Sequence, residues 1–85
     1  MEQSFVIKNP TGLHARPAAL LVKKASSFPC DVTVVKGEKR ANAKSLMSVL
    51  ALGIAANDSI VVITSGKEEE EALASIGELL ASLNS

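Results

Sequence analysis

The apolar residues of this chain fall in short blocks whose spacing alternates between a strand-like and a helix-like period. Alternating or β-branched runs at residues 5–8, 30–36 and 59–65 are typical of strands. Apolar residues spaced at i, i+3, i+4 and i+7 occur between and after these runs, and they predict amphipathic helices. Because each strand is too short to be stable alone, the pattern predicts helices packed against one shared sheet.

The predicted order of elements is β-α-β-β-α-β-α, within a single domain spanning residues 1–85. The predicted strands cover residues 5–8, 30–36, 39–43 and 59–65, and the predicted helices cover 17–27, 46–52 and the stretch from about residue 67 onward. The strand at 39–43 is polar and typical of a sheet edge. Short strands with three amphipathic helices indicate an α+β, two-layer fold, in which helices cover one face of an antiparallel sheet.

Charge and composition restrict the function classes. Nine basic and nine acidic residues give a formal net charge of +0, and Phe5 and Phe28 are the only aromatic residues. Nucleic-acid-binding domains use a basic surface or exposed aromatic residues for stacking, so we predict no nucleic-acid partner.

The sequence also restricts the compartment. No apolar run reaches the roughly 18 residues of a membrane span, so we predict no membrane insertion. Residues 1–4 do not resemble a signal peptide. The single cysteine, Cys30, cannot form an intramolecular disulfide, and we interpret it as a buried small residue, with a reactive thiol as the alternative. We therefore predict a cytoplasmic protein.

Residues 12–17, with the sequence GLHARP, contain the only histidine of the chain immediately before a predicted helix that Pro17 opens. A neutral imidazole is nucleophilic, so His14 can accept a group. The first N–H groups of a helix have no intrahelical partner and form an anion site, and Ala15 and Arg16 have no side-chain acceptor that could cap them. Arg16 also provides a planar cation that fits phosphate oxygens. The pattern predicts a phosphoryl group on His14.

Other interpretations of this segment are possible. A lone histidine in a loop often has no special function, and His14 could be of that kind. No second His and no Cys lies at ligand spacing, so we predict no metal site. Gly66 and Lys67 are followed by Glu68 rather than by Ser or Thr, and Val61 stands where a P-loop needs its first glycine, so the sequence disfavours a nucleotide-dependent enzyme. We predict no bound cofactor.

Residues 12–18 resemble the active-site signature of the HPr family, the histidine-containing phosphocarrier proteins of the bacterial phosphoenolpyruvate-dependent sugar phosphotransferase system. Residues 44–47 and 52–55 resemble the second signature region of that family. The likeness in length and element order covers essentially the whole chain. It implies an open-faced β-sandwich, with a four-stranded antiparallel sheet and three helices on one side.

For the site, the resemblance implies that phospho-enzyme I phosphorylates His14 on Nδ1 and that Arg16 stabilises the phosphoryl group. The group would then pass to the IIA domains of sugar permeases. This implies a general, stoichiometric phosphocarrier for sugar transport rather than an enzyme. A small monomer suits such a relay.

Ser45 lies at the predicted start of the second helix, where its hydroxyl is a good N-cap. By resemblance it matches the regulatory serine that HPr kinase/phosphorylase modifies, and whose phosphorylated form acts with catabolite control protein A in carbon catabolite repression. The alternative function is a regulatory adaptor of the same family that acts mainly through the surface of this helix. The presence of His14 argues against the related repression protein that lacks this histidine.

The second helix also predicts a contact surface. Val49 and Leu52 fit a buried face, and Leu46 lies beside them. Met47 and Leu50 lie on another side and are expected to form an exposed apolar patch, although in so short a helix both could instead belong to the core. The candidate partner surface consists of Pro17, Leu46, Met47 and Leu50.

Overall fold

The chain folds as one four-stranded antiparallel sheet with three helices, in a computed structural model that describes residues 1–83. The strands are β1 (Glu2–Val6), β2 (Asp31–Lys36), β3 (Lys39–Asn42) and β4 (Ser59–Ser65), and the helices are α1 (Ala15–Ser26), α2 (Leu46–Ala51) and α3 (Glu69–Leu83). The strand order is β1-β4-β2-β3. The predicted element order is confirmed, and so is the edge position of β3.

The two central strands, β4 and β2, provide the inner face of the sheet. Along β4, buried residues alternate with half-buried ones, as expected for a sheet with one covered face. Val62 on β4 pairs with Val34 on β2, and Val34 pairs in turn with Ala41 on β3. All three side chains are buried. This row forms part of the sheet face on which the helices pack.

The helices cover that face of the sheet. Helix α1 packs against α2 and α3, α2 packs against β3, and α3 packs against β1 and β4. Helix α1 buries Ala18, Leu21 and Ala25 of its predicted stripe, whereas Val22 is half-buried. Full burial of a leucine contributes about 1.5–3 kcal/mol relative to exposure. The single antiparallel sheet and the helices packed on it confirm the predicted α+β two-layer fold. No helix within residues 1–83 has the length and apolar content needed to cross a bilayer.

Three boundaries near the amino terminus differ from the predicted ones. Strand β1 begins at Glu2 instead of residue 5. Strand β1 ends at Val6 instead of residue 8, although the Ile7 N–H still donates to the Asp58 carbonyl at 2.9 Å. Helix α1 begins at Ala15, two residues before Pro17, because the Ala18 N–H donates to the His14 carbonyl at 2.9 Å. Pro17 therefore lies within the first turn, where its missing N–H costs no intrahelical bond.

Positive φ angles set the later boundaries. Gly53, with a φ of 62°, follows the end of α2, as the sequence predicted. Gly66 and Glu68 have φ angles of 121° and 64°, so the third helix begins at Glu69 instead of near residue 67. Cys30 is buried, which confirms its interpretation as a small residue of the interior.

Candidate functional site

The loop that leads to His14 begins with a turn closed by Asn9. The Gly12 N–H donates to the Asn9 carbonyl at 2.8 Å, and the Asn9 side chain Oδ1 accepts from the N–H and the hydroxyl of Thr11 at 3.3 and 3.2 Å. Side-chain bonds of this kind to nearby groups are why asparagine favours turns. The turn directs the chain from the end of β1 toward the start of α1.

Gly12 and Leu13 fix this loop against the connection between α2 and β4. The Leu13 N–H donates to the Ile54 carbonyl at 3.0 Å, and the Leu13 side chain is buried in the core. Gly12 has a φ of 65°, and a Cβ at this position would lie 2.8 Å from the Ala55 Cα and against the Ile54 carbonyl. A glycine is therefore required here both for backbone conformation and for space.

His14 is the N-cap residue of α1. Its backbone is extended, with a φ of −83° and a ψ of −168°, and its side chain makes no capping hydrogen bond. The residue is exposed. Our prediction placed the cap at Ala15 or Arg16, and the structure moves it to His14 because the helix starts earlier. The imidazole is thus held by its backbone at the helix start and remains open to solvent.

The first turn of α1 presents donors to this position. Within residues 1–83, no backbone carbonyl or side chain accepts from the N–H groups of Ala15 and Arg16. The turn contains no acidic side chain that would compete for them. Arg16 is exposed, and neither ion pair found in the described part of the chain involves it. Two backbone donors and one guanidinium therefore lie next to His14 in sequence.

Ser45 caps α2 as predicted. Its Oγ accepts from the Ser48 N–H at 3.4 Å, a long bond, and its N–H donates to the Asn42 carbonyl at 3.0 Å. The Asn42 side chain Oδ1 accepts from the Lys44 N–H at 2.9 Å, which shapes the turn before the helix. Ser45 itself is half-buried. The packing of α1 against α2 places this helix beside the one that His14 caps.

The residues of the predicted partner surface differ in exposure, and their contact with partners stays a prediction. Met47 is 76% exposed and Leu46 is 37% exposed, whereas Val49 is buried as expected. Leu50 is half-buried and packs against the core, so it is not the freely exposed residue that we predicted. Pro17 is buried, because it lies in the first turn of α1 with its ring toward the interior face, and it adds no exposed area.

A leucine on α1 was missed. Leu20 is 43% exposed, on a helix that packs against α2. The signal was present, since Leu20 lies outside the stripe formed by Ala18, Leu21 and Ala25. Leu20 lines a surface cavity with Lys23, Lys24, Ser27 and Leu79, so it lies on the side of α1 that faces α3. We use the term partner surface below for Leu46 and Met47.

An ion pair at the connection between α2 and β4 was also missed. The Lys36 Nζ lies 3.1 Å from the Asp58 Oδ2 and donates to the Gly53 carbonyl at 2.7 Å. The Asp58 carboxylate also accepts from the Ala55 N–H at 2.7 Å. That backbone hydrogen bond, together with Lys36, lowers the pKa of Asp58 below its ordinary value of 3.8. Lys36 ends one strand and Asp58 precedes another, so the pair could be found only by knowing that β2 and β4 are neighbours.

The part of the chain that the structure describes contains no group of three or more His, Cys, Asp and Glu residues able to hold a metal ion. The groups that the structure places at or next to His14 are an imidazole, two backbone N–H groups and a guanidinium. This set can accept an anionic group on nitrogen and stabilise its oxygens.

Comparisons with known proteins match nearly the whole chain, including the segment around His14. A family model described as the PTS HPr component phosphorylation site matches residues 1–82. The HPr-like protein Crh of Halalkalibacterium halodurans is 41% identical over 73 residues, which are 86% of this chain and 87% of that protein. A crystal structure described as HPr-C-His from Thermoanaerobacter tengcongensis has a TM-score of 0.95 at 42% identity, covering 99% of this chain and 94% of that one.

One similar structure bears on the oligomeric state. The crystal structure of an HPr dimer from Thermoanaerobacter tengcongensis has a TM-score of 0.80 at 42% identity, covering 95% of this chain and 93% of that one. A monomer, which we expected for this chain, therefore does not follow from its similarity to these proteins.

We predict that Gly12→Ala destabilises the chain more than Gly37→Ala. Both glycines have a positive φ, so each alanine costs about 1–3 kcal/mol of backbone strain. At Gly37 nothing lies within 4 Å of the added Cβ, whereas at Gly12 it meets Ile54 and Ala55. The free energies of unfolding from urea titrations measure the difference, and equal losses would show that the contact between the two loops is loose.

Proposed function

The chain belongs to the HPr family of phosphocarrier proteins of the phosphotransferase system, and we propose that it carries the phosphoryl group on His14. One observation supports this assignment above the others. The exposed His14 caps α1, where the N–H groups of Ala15 and Arg16 are not used within the described residues. If His14 were an ordinary loop histidine, there would be no reason for the helix start to lack a capping side chain.

The proposed reaction is a reversible phosphoryl transfer between histidines. Nδ1 of a neutral His14 attacks the phosphorus of a phosphohistidine on the donor, phospho-enzyme I. A new P–N bond forms as the donor P–N bond breaks. The donor phosphohistidine is protonated on its other ring nitrogen, so its imidazole leaves as the neutral base, and phosphorylated His14 keeps its proton on Nε2. Since the reaction needs little covalent chemistry from the protein, positioning and charge stabilisation supply most of the effect. The chain is then a stoichiometric carrier and not an enzyme.

The oxygens of the phosphoryl group require donors. The backbone N–H groups of Ala15 and Arg16 point out of the positive end of α1, and the Arg16 guanidinium adds a permanent charge. An exposed site of this type stabilises the group moderately, which suits a carrier that must release it again. The acceptors in the proposal are the IIA domains of sugar permeases, and the relay places the chain in the cytoplasm.

The partner surface explains how one small chain could meet several proteins. Leu46 and Met47 are exposed on α2, which packs beside the helix that His14 caps. Methionine adapts its shape to different partners better than branched side chains do. We propose that enzyme I and the IIA domains contact this apolar surface while the imidazole reaches their reactive groups.

We predict that enzyme I, Mg²⁺ and phosphoenolpyruvate produce an acid-labile phosphate on His14, and that His14→Ala takes up none. Arg16→Gln should slow the transfer about tenfold or more, because it removes the charge that stabilises the phosphoryl oxygens. Lys23→Gln, which removes one charge from an exposed position on the same helix, should leave the rate unchanged. Phosphate retained by His14→Ala would contradict the assignment.

The partner surface has its own test. Met47→Asp should raise the KM for enzyme I about fivefold or more, because a charge replaces an apolar contact, and thermal stability should change little since the side chain is exposed. Ala74→Asp, an exposed position on α3, is the matched control for the added charge. A large loss of stability in Met47→Asp would place the side chain in the core instead.

A second function, regulation through Ser45, is supported by the position of this residue. Ser45 caps the helix that presents Leu46 and Met47, so a phosphate there would change the charge of the partner surface without requiring the helix to unfold. The similarity to a Crh protein favours the same idea. We propose HPr kinase/phosphorylase as the modifying enzyme and catabolite control protein A as the partner of the modified form.

We predict an acid-stable phosphate on Ser45 after treatment with HPr kinase and ATP. Ser45→Ala should abolish it, at a cost of about 0.5–2 kcal/mol from the lost helix cap, whereas Ser48→Ala should be phosphorylated normally. Mass spectrometry locates the phosphate, and denaturant titration shows that the variants are folded. Phosphorylation of Ser45→Ala to the level of the unmodified chain would contradict the assignment.

A further inference from the structure

We infer that the ion pair between Lys36 and Asp58 positions the loop that holds His14. The inference rests on the proposed function of His14 as a phosphoryl acceptor. It assigns a role to two residues that do not touch the phosphoryl group. They are positioning residues, because they act through the connection between α2 and β4.

The first contacts close this connection. The Lys36 Nζ, at the end of β2, donates to the Gly53 carbonyl at 2.7 Å and lies 3.1 Å from the Asp58 Oδ2. One ammonium group therefore holds both ends of the segment between residues 53 and 58. Charge-assisted hydrogen bonds of this length are stronger than neutral ones.

The Asp58 carboxylate holds a further backbone group of this connection. The Asp58 Oδ2 accepts from the Ala55 N–H at 2.7 Å, and the Asp58 N–H donates to the Ala55 carbonyl at 3.1 Å. The Asp58 carbonyl in turn accepts from the Ile7 N–H at 2.9 Å. Asp58 thus links the connection to the segment that follows β1.

The last contact reaches the functional loop. Ile54 lies between Gly53 and Ala55, whose backbone groups are both held by the pair. Its carbonyl accepts from the Leu13 N–H at 3.0 Å, and Leu13 directly precedes His14. The position of the Ile54 carbonyl therefore sets the position of the chain at the helix start.

The exposure of the pair favours an effect on the position of the loop over a contribution to the overall stability of the fold. The side chains of Lys36 and Asp58 are 32% and 30% exposed, and ion pairs that water reaches contribute little to overall stability. Phosphoryl transfer is much more sensitive, since a displacement of about 1 Å can cost about 10²-fold in rate. Loss of the pair should therefore affect transfer more than it affects the fold.

The test compares Lys36→Met and Asp58→Asn with Lys39→Met and Glu38→Gln. The control residues are exposed in the adjacent hairpin and form no ion pair within residues 1–83, so they remove the same charges without the contact. The rate of His14 phosphorylation at saturating phospho-enzyme I, the KM for that protein, and the hydrogen exchange rate of the Leu13 amide are measured. Thermal unfolding confirms that each variant is folded.

We expect the pair variants to lower the saturating rate about threefold to tenfold with an unchanged KM, and to speed Leu13 exchange about tenfold. The double variant should be no slower than the slower single variant, because both remove one interaction. Lys36→Arg, which keeps the cation, should retain the rate. Asp58→Asn, which removes the other partner of the pair, keeps the test decisive if Lys36→Met does not fold.

Three results would overturn the inference. Pair variants that match their controls in rate and Leu13 exchange would show that the loop is held without the ion pair. A raised KM at an unchanged saturating rate would make the pair a partner contact. A normal Leu13 exchange rate beside a slower transfer would exclude the backbone route. A different failure, no phosphate on His14 in the unmodified chain, would overturn the proposed function, whereas faster Leu13 exchange in the pair variants would still support the structural link.

Discussion

The antiparallel pairing of β4 with β2 is the interaction on which the rest of the structure depends. It aligns Val62 with Val34, and the covered face built on this row is the surface that the helices bury. Within residues 1–83, the buried residues form one core that the sheet and a single layer of helices share, so a loop has no other core to pack on in this part of the chain. Every loop of this fold is therefore positioned by its contact with that one core or with a neighbouring loop.

The candidate site illustrates this dependence. His14 follows a strand at the sheet edge, yet its loop is fixed by the connection that enters the central strand β4. Leu13 contributes its side chain to the core and its N–H to the Ile54 carbonyl, and Gly12 allows the close approach. The backbone at His14 is held on both sides, by the Leu13 N–H bond to the Ile54 carbonyl and by the Ala18 N–H bond to the His14 carbonyl, while the residue itself is exposed. Exposure and fixed position are the two properties that a phosphoryl carrier needs together.

Much of the site was predictable because its parts are close in sequence. A histidine, an arginine two residues later and a proline in the first helical turn all belong to one segment, and helix-terminus rules apply to it directly. The same holds for Ser45, whose capping role follows from the helix it precedes. The errors were also local. Helix α1 was predicted to start at Pro17 because proline favours the first position, yet the bond from Ala18 to His14 starts it at Ala15 and buries Pro17. Leu50 was predicted to be exposed, but its side chain is half-buried and packs against the core.

The sequence by itself determined the fold class, the candidate residues His14 and Arg16 of the proposed site, and the serine that caps α2, because short-range spacing and residue chemistry are enough to select each of them. Only the tertiary structure decided the strand order, the contact of Leu13 with Ile54, and the pairing of Lys36 with Asp58. These contacts join residues that are far apart in the chain. Hydrophobic periodicity shows which face of a strand is buried but not which strand lies beside it, so contacts that depend on strand neighbours require the folded sheet.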